Sequence, residues 1–300
     1  MSRIGGSVQL SNVLEGKVAV VAGATRGAGR GIARELGAAG ATVYCTGRSV
    51  TGSPATGSRP ETIQETAALV TEDGGEGIAV QVDHTVPEQV ERLFDRVAEE
   101  QDGRLDILVN DVWGGDELTS WGTPFWELDL DQGLLMQQRA VHSHIITSRY
   151  GVPLMVACGS GLVIEITDGY KPDYRGNLFY DLAKSSVIRL ALAMSHELRD
   201  RGVTALAITP GFLRSEAMLD GFGVTEENWR DGVARDKYFG GSETPHYVGR
   251  AVAAVAADPG VAEMSGKAFS SWHLMEKYGF TDLDGRQPHW ENFAADLNRA

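Results

Sequence analysis

Short continuous apolar runs alternate with longer stretches whose apolar positions recur every three or four residues, over almost the whole chain. The runs at 18–22, 42–46, 77–82, 106–110, 161–167, 203–209 and 267–270 read as strands. They are solid rather than alternating, as expected of strands covered on both faces. Helices are predicted between them at 29–39, 60–71, 87–101, 130–157, 178–200 and 245–257. Such alternation folds as a parallel sheet with helices on both faces. The expected fold class is therefore α/β: a doubly wound, Rossmann-type, seven-stranded parallel sheet in a single domain over 1–300. Ligands of these sheets sit beyond the carboxyl ends of the strands, so the residues that follow each apolar run are the ones to search for chemistry.

The first run ends in a glycine-rich turn with Gly23, Gly27 and Gly29, followed by an alanine-rich helical stretch. Glycine permits a tight turn and close approach of backbone to ligand. The helix N-terminus behind it offers free amides and partial positive charge, which suits a pyrophosphate. Tyr180 and Lys184 stand four apart in a helical stretch and so share one face. A phenol of ordinary pKa about 10 beside a cation is expected to titrate lower. It can then give a proton to a carbonyl oxygen or take one from an alcohol.

The Gly-x-x-x-Gly-x-Gly turn together with Tyr180 and Lys184 resembles the short-chain dehydrogenases/reductases over roughly residues 13 to 285. Within that family the string from Tyr278 to Arg286 is similar to the branch called dehydrogenase/reductase member 1. The resemblance implies a nicotinamide cofactor held by Gly23, Thr25, Arg26, Gly27, Ala28 and Gly29 of the turn. It further implies Asp83 and His84 at the adenine, Asn110 after the fourth strand, and Pro210 and Gly211 against the nicotinamide. Ser215 matches a residue that touches the carboxamide. Lys184 also reaches the ribose, and Tyr180 is the acid. The implied activity is hydride transfer between nicotinamide and a carbonyl or alcohol substrate. Homodimers or homotetramers through the long helices flanking the fifth strand are the family habit.

The second strand ends at Gly47 and Arg48, where enzymes preferring NAD(H) usually place an acid. Arg26 adds a second guanidinium, and a 2′-phosphate pairs well with such groups. NADP(H) is the preferred cofactor on this reading, with NAD(H) as the alternative.

Two positions depart from the family pattern. Its substrate-orienting serine is replaced, since the fifth strand ends Glu165-Ile166-Thr167-Asp168. Either Thr167 supplies a hydroxyl, or Asp168 acts as a protonated donor, or Asp168 binds a cationic or polyhydroxylated substrate, or it is a solvated loop carboxylate. An ionised Asp168 would disfavour phenolate at Tyr180. The asparagine common in the central helix is also missing, and Gln137, His142 and His144 lie in that region. These losses keep two other readings open: a cofactor-binding sensor or structural protein, and a non-redox lyase or epimerase. Trp113, Tyr170, Tyr174, Phe179 and Phe212 lie near the expected pocket and suggest a flat or apolar substrate.

Residues 51–59, rich in Gly, Ser, Thr and Pro, read as a surface loop, residues 212–244 as a substrate lid, and residues 271–300 as a C-terminal extension. The net charge of −14 disfavours nucleic acid and anionic membranes. Residues 1–16 lack the apolar core of a signal peptide, and no run is long enough for a membrane span. The two cysteines, Cys45 and Cys158, have no metal-ligand spacing, and thiols of this kind fit a reducing compartment. A cytoplasmic protein without a metal site is expected.

Overall fold

The computed structural model describes residues 12–55 and 59–299. The expectations for residues 1–16 and for the loop at 51–59 fall partly outside that range.

Seven strands form one sheet: β1 (Val18–Ala22), β2 (Thr42–Gly47), β3 (Glu76–Gln81), β4 (Ile107–Asn110), β5 (Gly161–Ile166), β6 (Val203–Thr209) and β7 (Ala268–Ser270). All neighbours are parallel, in the order β3-β2-β1-β4-β5-β6-β7. The strands step outward from β1 in both directions. The switch between β1 and β4 opens a crevice beyond their carboxyl ends, where such sheets take ligands. Every residue of β1, β4 and β6 is buried, which is why these runs are solidly apolar.

Among the described residues the α-helices are α1 (Gly27–Ala38), α2 (Ile63–Glu72), α3 (Pro87–Glu100), α4 (Leu130–Gln137), α5 (Ser143–Cys158), α6 (Leu178–Glu197), α7 (Glu216–Phe222), α8 (Pro245–Ala256), α9 (Ser271–Tyr278) and α10 (Trp290–Arg299). Ile32, Leu36, Val70, Val248 and Val252 of α1, α2 and α8 seal one face of the sheet. Val90, Leu93, Phe94, Val97 and Met155 of α3 and α5 seal the other. None of these helices is long and apolar enough to cross a membrane.

The single helix expected at 130–157 is interrupted. A π-helical turn, Gln138–His142, joins α4 to α5. Ser143 Oγ, at the start of α5, bonds back to the Arg139 carbonyl of this turn at 2.5 Å. An inserted residue of this kind re-aims the following turn, and the residue it turns inward is His144.

Residues 212–244 hold α7 and two 3₁₀ turns around an aromatic anchor of their own. Phe222 stacks on Phe239 at 4.2 Å, and Phe212 meets Phe239 edge-on at 5.5 Å. Arg214 is 1% exposed and lies over the Trp229 ring at 4.1 Å.

Candidate active site

β1 leaves the sheet through Gly23, whose φ of +93° suits glycine alone. A Cβ there would stand 2.5 Å from the Asp111 carbonyl oxygen, so the exits of β1 and β4 touch. A Cβ on Gly29 would meet the Asp111 carboxylate at 2.9 Å. The turn is closed down to backbone, and α1 begins immediately after it with no acidic residue of its own in the first turn. Its leading amide, Gly27 N, donates instead to Oε2 of Glu216 at 2.7 Å. A carboxylate therefore sits where an anion at this helix end belongs. Beside it, Arg26 Nε is buried without a hydrogen-bond partner, 3.4 Å from a Glu61 oxygen. Glycine cradle, helix-end amide and a guanidinium whose Nε lacks a hydrogen bond together fit a dinucleotide phosphate.

At the end of β2, Thr25 Oγ1 lies 2.6 Å from where a Gly47 Cβ would be, so a small residue at position 47 lets the turn approach. Ala28 is buried within the first turn of α1. Arg48 is half-buried, with Nη1 3.9 Å from Asp83 Oδ2. Asp83 accepts from the amide and the hydroxyl of Thr85 at 2.9 and 2.7 Å. Glu61, not foreseen from the sequence, is clamped by Arg59 at this rim.

Two expected cofactor contacts are core residues in their side chains. His84 is 2% exposed, between the hydroxyls of Thr46 and Thr147 at 2.8 Å each. Burial, with His144 nearby, pushes its pKa down to about 3, so it is a neutral packing group. Asn110 is fully buried and donates to Ser148 Oγ and Glu165 Oε1. It ties β4 to β5 and α5 rather than facing the cleft. His144 completes that cluster, with Nδ1 2.6 Å from Glu165 Oε2 and Nε2 3.0 Å from the Val112 carbonyl.

Pro210 and Gly211 follow β6. Gly211 N donates to Oε2 of Glu243 at 2.9 Å, and Ser271 Oγ donates to the same oxygen. Burial raises the Glu243 carboxyl to about 8. Ser215 caps α7 by accepting from Met218 N at 3.3 Å, and its Cβ approaches Gly27. Ser215 and Glu216 thus bring the start of α7 onto the glycine turn.

Asn177 starts α6 by accepting from the amides of Phe179 and Tyr180. This cap fixes the first turn and aims Tyr180 back at the end of β5. The Tyr180 hydroxyl donates to Asp168 Oδ2 at 2.8 Å. Arg175 pairs with the same carboxylate through two guanidinium nitrogens. Asp168 is therefore not a free loop carboxylate. Thr167 does not present a hydroxyl to the cleft, because its Oγ1 donates to the Lys184 carbonyl at 2.7 Å. Alternation along the strand turns it to the other side.

The expected lowering of the phenol's pKa is also reversed. Burial, then the charge and hydrogen bond of Asp168, raises Tyr180 well above the ordinary tyrosine value. Lys184 lies with Nζ 4.0 Å above the Trp113 ring and 5.6 Å from the Tyr180 ring centre. Burial lowers its pKa, opposed by Asp168 and Asp111. Burial holds Asp111 itself up at about 7. Asp111 and Arg175 were not foreseen from the sequence; Asp111 shows as a charge directly after the fourth strand, and Arg175 carries no motif signal.

Of the aromatics, Trp113 and Trp121 flank Tyr180 with ring centres at 5.3 and 5.1 Å. Phe179 points away and packs on Gly133 of α4. Phe212 stacks on Trp290 at 5.7 Å, Tyr170 bonds to Glu291, and Tyr174 is exposed.

Residues 17–221 match the family model described as short chain dehydrogenase. Dehydrogenase/reductase SDR family member 1 of Homo sapiens is 35% identical over 277 residues, covering 91% of this chain and 85% of the relative. A 7alpha-hydroxysteroid dehydrogenase of Clostridium sardiniense is 28% identical over 69% of this chain and 74% of its own. A crystallised short-chain dehydrogenase of Mycobacterium thermoresistibile superposes with a TM-score of 0.76 at 23% identity, covering 92% of each chain, and shares the fold. With the glycine turn, the parallel sheet and the Tyr180–Lys184 pair already in place, this similarity over nine-tenths of the sequence shows that the chain belongs to the short-chain dehydrogenase/reductase family of nicotinamide-dependent oxidoreductases.

Proposed function

We propose that this chain interconverts a carbonyl and its alcohol with NADP(H). The observation that carries the proposal is the meeting of Tyr180, Asp168, Arg175 and Lys184 at the carboxyl edge of the sheet, next to the glycine turn. The bound nicotinamide supplies or accepts the hydride.

The chain's own residues handle the proton. In the reductive direction Tyr180 delivers its hydroxyl proton to the substrate oxygen. Burial and Asp168 keep that proton on the phenol until the oxygen becomes basic. Phenolate formed beside a lone carboxylate would be strongly disfavoured. Arg175 offsets the Asp168 charge, which leaves the Lys184 ammonium to balance the phenolate. Arg175 thus lets an aspartate stand at the usual serine position. Trp113 and Trp121 wall the site against water and favour a flat or apolar substrate.

Arg26, part-buried with a hydrogen-bond-free Nε beside Glu61, and Arg48 at the rim are the 2′-phosphate ligands in this reading. Residues 212–244 act as the lid, a role supported by the contact between Glu216 and Gly27. Leu134, Ile145 and Leu182, exposed on the helices either side of β5, provide apolar surface for a homodimer or homotetramer. The free thiols of Cys45 and Cys158 favour a reducing, cytoplasmic setting.

The test is NADPH oxidation against a panel of aldehydes, ketones and quinones, with Tyr180→Phe as control. Turnover abolished in the variant supports the proposal. Tight cofactor binding with no turnover would favour a sensor, and product formed without net redox change a lyase or epimerase.

A further inference from the structure

Away from Tyr180, the C-terminal segment brings two histidines and a carboxylate together. His273 and Glu276 lie one turn apart on α9, and His289 lies immediately before α10. One ligand atom from each lies within 4.8 Å of the others, and among the described residues no other such group of three occurs.

The local bonding orients the rings for this. Nε2 of His289 stands 3.3 Å from Oε1 of Glu276. That is roughly the separation of neighbouring ligand atoms around a tetrahedral ion with bonds of about 2.0–2.2 Å. His273 has Nδ1 bonded to Ser270 Oγ at 2.8 Å, which fixes the ring and leaves Nε2 for the cluster. That Nε2 also faces Oε2 of Glu291 at 3.7 Å, a carboxylate that Tyr170 and Lys171 hold outside the group of three. The Asn292 amide reaches His289 Nδ1 at 3.3 Å, a long bond that is lost when the ring proton moves to Nδ1. Two imidazoles with one carboxylate suit a borderline-soft ion better than Mg²⁺ or Ca²⁺, which take oxygen ligands.

We propose that His273, Glu276 and His289, with water in the fourth position, form a binding site for a divalent transition ion of the zinc class. The site ties the start of α10 to α9. In α10, Glu291 accepts from the Tyr170 hydroxyl and pairs with Lys171 in the loop that follows Asp168. Its neighbour Trp290 stacks on Phe212 beside the Gly211 turn. An ion here therefore tightens two walls of the catalytic cleft without entering it.

The experiment is calorimetric titration of untagged, chelator-treated full-length chain with zinc chloride, with thermal melting alongside. One ion per chain is expected, with a melting midpoint several degrees higher at saturation. His273→Ala and His289→Ala should each weaken binding at least tenfold. Glu276 is exposed, so Glu276→Gln tests the site without risk to folding and should weaken binding about tenfold. Absence of stoichiometric binding overturns the proposal, as does binding unchanged in Glu276→Gln. If the histidine variants do not fold, Glu276→Gln decides.

Discussion

The hydroxyl of Tyr180 donates to Asp168 Oδ2 at 2.8 Å, so the proposed acid is bonded to a second acid where the family carries a neutral serine. A carboxylate there raises the cost of ionising the phenol, and Arg175 is the group that offsets it. Arg175→Ala is expected to lower kcat for carbonyl reduction about tenfold, the effect of roughly one uncompensated charge interaction. Asp168→Ser in the Arg175→Ala background should recover most of that loss. A double-mutant cycle by steady-state kinetics reads the coupling. Additive losses would mean that Asp168 orients substrate itself and that Arg175 acts elsewhere.

The Glu216 carboxylate on the Gly27 amide competes with any phosphate for the head of α1. Glu216→Gln removes the charge while leaving the side chain's size, and should tighten NADPH binding by about threefold to tenfold. Fluorescence titration of NADPH measures it directly. Unchanged affinity would show that Glu216 swings aside at no cost.

Cofactor choice rests on Arg26 and Arg48. Arg26 sits in the glycine turn with its Nε buried, free of hydrogen bonds and 3.4 Å from Glu61, whereas Arg48 lies more exposed at the rim, 3.9 Å from Asp83. Arg26→Ala should therefore cost NADPH more than NADH in kcat/KM, by about tenfold, and Arg48→Ala less. Equal losses with both cofactors would place Arg26 at the shared pyrophosphate. Equal or better use of NADH by the unaltered chain at the same concentration would reject the preference altogether.

The sheet was readable because its strands are solidly apolar and its turns are marked by glycine and proline. β6 runs from 203 to 209 as the apolar pattern predicts, and β1 from 18 to 22. The π turn at Gln138–His142 was not readable, since its stretch keeps helical composition on both sides and a π turn differs from an α-helix only in the register of its backbone bonds. Motif matching located Tyr180 and Lys184 but not the charge balance around them. Arg175 reaches Asp168 from seven positions away through a loop, a contact that no period or spacing encodes. The same limit applies to Asn110 and His84. Both stand at strand ends, where ligand contacts are expected, yet their rings and amides face inward to satisfy buried partners.

Glu243 gives the stability of the protein a dependence on alkaline pH. It is almost fully buried and holds the Gly211 amide, and its carboxyl titrates at about 8 rather than at an ordinary glutamate value. A carboxyl whose pKa is raised on folding binds its proton more tightly in the native state. Its contribution is fully present below the unfolded value near 4.5 and is lost as pH rises through about 8. Asp111, held up at about 7, acts with the same sign in the lower part of that window. The folded state is therefore expected to weaken between pH 5.5 and 8.5 by on the order of a few kcal/mol. Glu243→Gln keeps an acceptor for Gly211 and Ser271 but cannot ionise, so its urea midpoint should fall less over the same range. Asp111→Asn should remove the earlier part of the decline. If Glu243→Gln tracks the unaltered chain at every pH, the carboxylate is already charged and Arg214, rather than a proton, balances it in the native fold.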